Sequence, residues 1–394
     1  MKLRIFALAA LIGFGAASAA LAAEPFDIQV ILPLTGGGSF VGNGQRAMLQ
    51  ALEESVNKSD GIRGRPVRFV YHDDQTSPQL AVQLTREILA AKPAVIVGSS
   101  LVAMCNAMAP LMQNGPVMYC LSPGIHPAAG GYVFSASSST FDQLATLVRF
   151  NRLKSWTKIA VMTSTDATGQ DADKAIEADL KLPQNAAIKV VAYEHFNPGD
   201  LTVAAQMERI KAAGAEALIA WTTGSPTATV FKGMIQTGFD VPVAPTGGNE
   251  VFQQMAQYES FLPKGLVMSS ALFPPHDGVL KLDPDVEKVQ HEMYAIVAKH
   301  GFKADNNTAD TWDAALITVT GLRALGPNAT AAQLRDWILK LKGFAGINGL
   351  YDFTQFPDRG LSHDTTALIR YDPHGPDGPR WQWVSEVGGA PLKN

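Results

Sequence analysis

The chain has 394 residues, too many for one ordinary hydrophobic core, so two folded units are expected. It carries 32 basic and 36 acidic residues, and without Lys2 and Arg4 the balance is 30 against 36, or −6. That charge argues against nucleic acid or an anionic membrane as partner.

In chain order, Lys2 and Arg4 precede an apolar run over residues 5–17, and Ala20-Leu21-Ala22 follows. A basic start, a short apolar core and an A-x-A site predict a secretory signal peptide over 1–22 and export to the periplasm. No Cys stands at the cleavage site, so no lipid anchor is expected. No later stretch reaches 18 consecutive apolar residues, so no direct membrane insertion is expected. A strand is then predicted over 27–32 and a helix over 44–57, with Ala47, Met48, Ala51, Leu52 and Val56 on one face. Ser59-Asp60-Gly61 turns the chain into a strand over 67–71. Ser77 followed by Pro78 is an N-cap signature and opens a helix over 78–91. An unbroken apolar strand over 94–97, a helix over 102–113 and a strand over 117–120 follow.

The same alternation restarts after Thr140, with strands over 158–162, 188–193, 217–221 and 241–244 and helices over 170–180, 201–213 and 227–237. Two successive β-α series imply two doubly wound parallel sheets. Helices over 285–299, 308–325 and 331–341 and closing strands over 367–371 and 381–384 complete the pattern. The Gly/Pro-rich stretch 372–379 reads as a hairpin loop.

Parallel α/β sheets bind ligands beyond the carboxyl ends of their strands. Here those ends are Pro33-Leu34-Thr35-Gly36-Gly37-Gly38, Gly98-Ser99-Ser100, Leu121-Ser122-Pro123-Gly124, Thr163-Ser164-Thr165, Thr222-Thr223-Gly224-Ser225 and Thr246-Gly247-Gly248-Asn249. One such loop is ordinary capping composition. Six of them across two sheets predict a cleft that offers hydroxyls and backbone N–H groups rather than charge.

Other chemistry is weak. Gly42-Asn43-Gly44-Gln45-Arg46-Ala47 matches G-x-G-x-x-A before a helix, but a dinucleotide fingerprint follows its strand directly and this one does not. A turn that starts a helix is the better reading, with Asp73 and Asp74 bonding loop amides. His72-Asp73 and His363-Asp364 are adjacent, and neighbours on a strand point to opposite faces. No hydrolase, P-loop or zinc-protease motif is present. No enzyme activity, metal or cofactor is expected. Cys105 and Cys120 are too few for a four-ligand zinc site, and in an oxidising compartment a single bridge between them is expected, two buried thiols being the alternative.

A strand running into Pro33-Leu34-Thr35-Gly36, then Asp60-Gly61-Ile62-Arg63-Gly64-Arg65-Pro66, then a strand ending in Asp73-Asp74, resembles the type I periplasmic solute-binding proteins of ABC importers, and among them the branched-chain amino-acid-binding group. Trp312-Asp313-Ala314-Ala315 is similar to an aromatic-Asp-Ala segment in a late helix of that group. The resemblance implies an α/β fold of two doubly wound lobes, joined by three crossings near 135–139, 269–274 and 346–351. Lobe one would be 23–137 plus 274–346, and lobe two 138–273 plus 347–394. It also implies a monomer that closes on a small-molecule ligand like a hinged clamp and delivers it to an inner-membrane ABC permease.

Carried over position by position, the resemblance places a ligand carboxylate near Ser99, Ser100 and Leu101 and near Ser122, Pro123 and Gly124, with Phe40 over the ligand. From lobe two it places Thr168, Thr223 and Gly224 or Trp221 at the cleft, with Gly248 and Asn249 beside them. The acid that grips an amino acid's ammonium falls at Gly247 or Gly248, and Glu250 is expected in the following helix. A desolvated ammonium needs a countercharge. The expected ligand is therefore an aromatic carboxylate, as in the aromatic-acid-binding members of the group. A branched-chain or other amino acid is the alternative, followed by an exported α/β enzyme or a ligand-sensing domain.

Overall fold

The computed structural model describes residues 24–275, 278–362 and 364–393. The expected signal peptide lies outside them, as does His363. The chain begins with β1 (Phe26–Leu32), α1 (Ser39–Lys58), β2 (Val67–Asp73), α2 (Pro78–Leu89), β3 (Val95–Gly98), α3 (Val102–Met108), β4 (Val117–Cys120) and β5 (Val133–Ser135). The five strands form one parallel sheet in the order β2-β1-β3-β4-β5. β3 and β4 are buried along their whole length, so they read as unbroken apolar runs. Ser77 caps α2 by accepting the Leu80 N–H at 3.3 Å, with Pro78 at the first helical position.

Two boundaries depart from the periodicity. α1 begins at Ser39 rather than 44, and Gly42 in its first turn permits this. A Cβ there would lie 2.3 Å from the Pro33 carbonyl oxygen, so only glycine lets the helix start against the strand end. The apparent dinucleotide motif is thus a packing requirement. α3, expected to run to 113, ends at Met108 in a 3₁₀ turn around Pro110.

Cys105 on α3 and Cys120 at the end of β4 are joined by a disulfide, with Cα atoms 6.1 Å apart and a sequence separation of 15. It ties the helix to the sheet among Ile31, Met104 and Met118. Replacing both cysteines by Ala is expected to lower stability by roughly 3 kcal/mol, the chain-entropy value for a loop of this length, as read by urea unfolding.

Past β5 the chain crosses to a second lobe. There follow α4 (Thr140–Leu153), β6 (Lys158–Ser164), α5 (Ala167–Leu180), β7 (Lys189–Phe196), α6 (Ala204–Ala212), β8 (Ala217–Trp221), α7 (Pro226–Thr237), β9 (Val243–Ala244), α8 (Phe252–Tyr258) and β10 (Met268–Ser270). Its parallel sheet has the order β7-β6-β8-β9. α4 has no counterpart in the sequence reading. Ser139 caps it by accepting the Asp142 N–H at 3.1 Å, and Leu144, Leu147, Val148 and Phe150 are buried.

The chain then returns to the first lobe. α9 (Pro284–Lys299), α10 (Asn306–Leu325), α11 (Ala331–Ile338) and the hairpin of β11 (Lys342–Gly346) with β12 (Gly349–Asp352) pack on its core. Ile347, Tyr351, Phe353 and Leu361 belong to that same core. β13 (Ala367–Asp372) pairs with β10 of the second lobe, and β14 (Arg380–Trp383) completes that antiparallel sheet. The third crossing therefore falls between Leu361 and Ala367, later than the 346–351 expected. The stretch around Gly346-Ile347-Asn348-Gly349 lacks regular pattern because it is the turn of the hairpin.

Candidate functional site

In each sheet the strand order reverses beside the first strand of the lobe, between β1 and β3 and between β6 and β8. Such a switch leaves a crevice at the carboxyl ends of the strands. The loops from both crevices converge on one small cavity. Ser100, Leu101, Ser122 and Pro123 of the first lobe meet Thr168, Trp221, Thr223 and Gly248 of the second.

The other sequence-derived candidates stand behind this wall. Ser99 is fully buried and donates its hydroxyl to Asp74 Oδ2 at 2.5 Å, tying the β3 loop to the β2 loop. Asn249 is also fully buried. Its Nδ2 donates to the Thr222 carbonyl at 2.7 Å, and its Oδ1 accepts from Gly224 N at 3.0 Å and Thr227 Oγ1 at 2.9 Å. It therefore locks the loops after β8 and β9 together, and the Gly224 N–H is spent on it. Gly124 packs on Val102, where a Cβ would come within 2.6 Å of a methyl group. Phe40 lies half-buried in the first turn of α1, while its neighbours Val41 and Gln45 take the wall.

The lobes touch around the cavity. A Cβ at Gly224 would stand 2.6 Å from the Gly37 carbonyl oxygen across the cleft. His126 Nε2 of the first lobe lies 2.7 Å from Asp171 Oδ1 on α5 of the second. The two lobes are thus in contact on either side of the cavity.

Sequence reasoning missed part of the wall: Gln45 on α1, Ser137 in the first crossing, Thr140 and Gln143 on α4, and Asn306 and Asp310 on α10, whereas Thr246 belongs to a strand-end loop already expected at the cleft. Ser100 donates its hydroxyl to Gln45 Oε1. The Thr223 and Thr246 hydroxyls are 2.9 Å apart. Gln143 is held by Ser138 O at 3.1 Å and by the Ser269 hydroxyl at 3.1 Å.

Asp310 is the one charged side chain among the described residues of the wall. Burial pushes its carboxyl up to about 7; hydrogen bonds from Ser137 and Asn306 work against the rise, and the charge of Asp313 adds to it. A signal for it was present: Asn306, Asp310 and Asp313 recur at i, i+4 and i+7, a polar stripe on a helix that packs on an apolar core. Glu250 lies between the 3₁₀ turn Gly247–Asn249 and α8 rather than in the helix, and is fully buried outside the wall. The wall thus offers hydroxyls, amides and one acid, chemistry that grips a polar ligand.

A family model described as periplasmic binding protein matches residues 25–372. The chain belongs to the periplasmic binding protein family. The family is one of solute-binding receptors, not of enzymes. Among the described residues of this periplasmic binding protein, no helix is long and apolar enough to cross a membrane.

Two curated relatives are similar to parts of it. The leucine-, isoleucine-, valine-, threonine-, and alanine-binding protein of Pseudomonas aeruginosa is 26% identical over 219 residues, 54% of this chain and 57% of that one. A Leu/Ile/Val-binding protein homolog of Brucella melitensis is 28% identical over 216 residues, 53% and 56% of the two chains. The chain thus spans a little over half the length of these relatives.

Solved structures share the fold more completely. A type 1 periplasmic binding protein from Bordetella pertussis superposes with a TM-score of 0.77 at 22% identity, covering 91% of this chain and 100% of that one. An isoleucine complex of a branched-chain amino acid transporter binding protein from Streptococcus pneumoniae gives 0.72 at 16% identity, with 88% and 95% covered. A 4-hydroxybenzoate complex of a Rhodopseudomonas palustris solute-binding protein gives 0.71 at 18%, with 91% and 95% covered. At these identities the likeness is one of fold.

Proposed function

We propose that this protein is the receptor of an ABC importer, closing on one compact carboxylate-bearing solute and handing it to an inner-membrane permease. The observation that carries this reading is the convergence of uncharged donors from both lobes on a single cavity whose one charged side chain, among the described residues, is Asp310. Hydroxyls and amides suit a carboxylate. An ammonium has no acid at Gly247 or Gly248, yet Asp310 supplies one from the first lobe. The ligand we favour is therefore a small amino acid, ahead of the aromatic carboxylate expected from those glycines. The amino-acid ligands in the names of the two curated relatives support this choice.

An aromatic acid is the second reading. Trp221, Leu101 and Pro123 give the cavity apolar walls, and Asp310 with its carboxyl near 7 also has a neutral form that can donate to an anionic oxygen. Calorimetric titration with leucine, alanine, benzoate and 4-hydroxybenzoate separates the two. Micromolar or tighter binding of leucine or alanine, lost in Asp310→Asn, is the expected outcome. Heat from the aromatic acids alone would overturn the amino-acid reading. With whichever ligand binds, Ser122→Ala should leave folding intact and weaken binding by about 1–3 kcal/mol, the cost of a lost hydrogen bond to a charged group.

Export belongs to the same proposal. Mass spectrometry of the periplasmic fraction should show a chain beginning at Ala23 or Glu24, whereas an intact Met1 confined to the cytoplasm would refute it.

A further inference from the structure

Glu250, on the second lobe, is fully buried, and neither of its carboxyl oxygens makes a hydrogen bond of good geometry. The hydroxyl beside it, Ser270, donates to the Ala271 carbonyl at 2.8 Å. Much of what Glu250 faces belongs to the first lobe. Its backbone oxygen accepts the Asn306 N–H at 3.0 Å, and the carboxyls of Asp305 and Asp310 act on its charge. Asp313, about one turn further along α10, acts on Asp310 in turn. The adjoining second-lobe residues, Asn249, Val251 and Ser270, are uncharged. Among the described residues, no cation is found with the groups that act on Glu250, Asp310 or Asp313. Buried carboxyls from both lobes thus act on one another across the Asn306–Glu250 contact. Neighbouring carboxylates in such a place do not all stay ionised. Separating the lobes would break the Asn306–Glu250 contact and carry Asp305 and Asp310 away from the Glu250 carboxyl.

We infer that closure of this receptor takes up a proton at Glu250, so that the closed form weakens as pH rises. The inference rests on the reading of the molecule as a two-lobed clamp and is independent of which solute it carries. Burial pushes the Glu250 carboxyl well above the usual carboxylate range, Asp305 and Asp310 push it further, and Ser270 offsets part of the rise. The closed form therefore has the higher pKa. Closure carries no proton penalty below the open-form pKa. Above it, the closing equilibrium falls by about tenfold per pH unit until the closed-form pKa is passed.

A disulfide staple reads closure without any ligand. A Cβ at Gly37 of the first lobe would lie 3.5 Å from Ser225 Oγ of the second. In a Gly37→Cys/Ser225→Cys protein the staple forms from the closed state, so its oxidation rate follows the closed fraction. Comparing Glu250 with Glu250→Gln in that background at each pH cancels the pH dependence of the thiols. The rate ratio of Glu250→Gln to Glu250 is expected to rise by about tenfold or more between about pH 5 and about pH 8. A flat ratio would overturn the proton uptake, whereas a staple that forms in neither background would overturn the clamp itself. Asp305→Asn should show a smaller rise in the same direction, and it carries the test if circular dichroism shows that Glu250→Gln does not fold.

Discussion

Asp313→Ala is expected to destabilise the protein by about 3–5 kcal/mol in urea or thermal unfolding, more than other single changes considered above. Asp313 is fully buried and accepts three hydrogen bonds, from Ile347 N at 2.8 Å, Asn348 N at 3.1 Å and Tyr351 OH at 2.8 Å. All three donors sit in the β11–β12 hairpin, so one carboxylate fastens the hairpin to α10. Its removal strands two backbone N–H groups and a phenol in a dry core, at roughly 1–3 kcal/mol for each group left without a partner. Part of this is returned. Burial pushes the Asp313 carboxyl up to about 6 against those hydrogen bonds, so the charge is itself costly to hold there. Asp313→Asn keeps the size and one acceptor oxygen but turns an amide N–H₂ toward the donors, and a loss of about 2 kcal/mol is expected. A change within about 1 kcal/mol for Asp313→Ala would mean that water reaches the hairpin turn and satisfies the donors.

Gly224→Ala is expected to weaken ligand binding by about tenfold or more while each lobe stays folded. The new Cβ would stand 2.6 Å from the Gly37 carbonyl oxygen, a backbone atom of the opposite lobe with no side chain to swing away. The lobes must then stop short of full closure, and the donors from the two sides no longer reach one ligand together. The backbone of Gly224 also has φ +82°, where an L residue is strained by about 1–2 kcal/mol. That strain is present whether the clamp is open or shut, so it lowers stability without touching affinity. Gly214→Ala separates the two effects. Gly214 has φ +70° with nothing within 4 Å of a new Cβ, so it should show the stability loss alone. Equal affinities for the Gly224→Ala and Gly214→Ala proteins would show that the Gly37 contact does not limit closure.

Much of the architecture was legible because its signals are local. β3, β4 and β8 are buried throughout and read as apolar runs, and Ser77 before Pro78 marked the start of α2. The loops at the strand ends announced the cleft by their hydroxyls and glycines. Shorter or composite elements stayed hidden. β5 and β10 have three residues each, too few for any period, and exist because β4 and β13 offer them hydrogen bonds. The β11–β12 hairpin reads as irregular because β11 is only partly buried and carries glycine at both positions 343 and 346.

Hydrophobic period and turn chemistry act between near neighbours, so the two-lobed alternation and the loops at the strand ends can be read from residue order alone. Which side chains of those loops reach the cavity depends on packing between distant segments. Ser99 and Ser100 are adjacent and alike, yet one is turned back onto Asp74 and the other toward Gln45 and the cleft. Asn249 looks like a ligand donor and is a brace between two loops. No acid stands at Gly248, and the one carboxyl among the described residues of the wall comes from α10, because a helix packed on the first sheet lays Asn306 and Asp310 against the strand ends of both lobes. Which residue fills a given place in a cleft depends on how distant segments pack, and no local pattern carries that information.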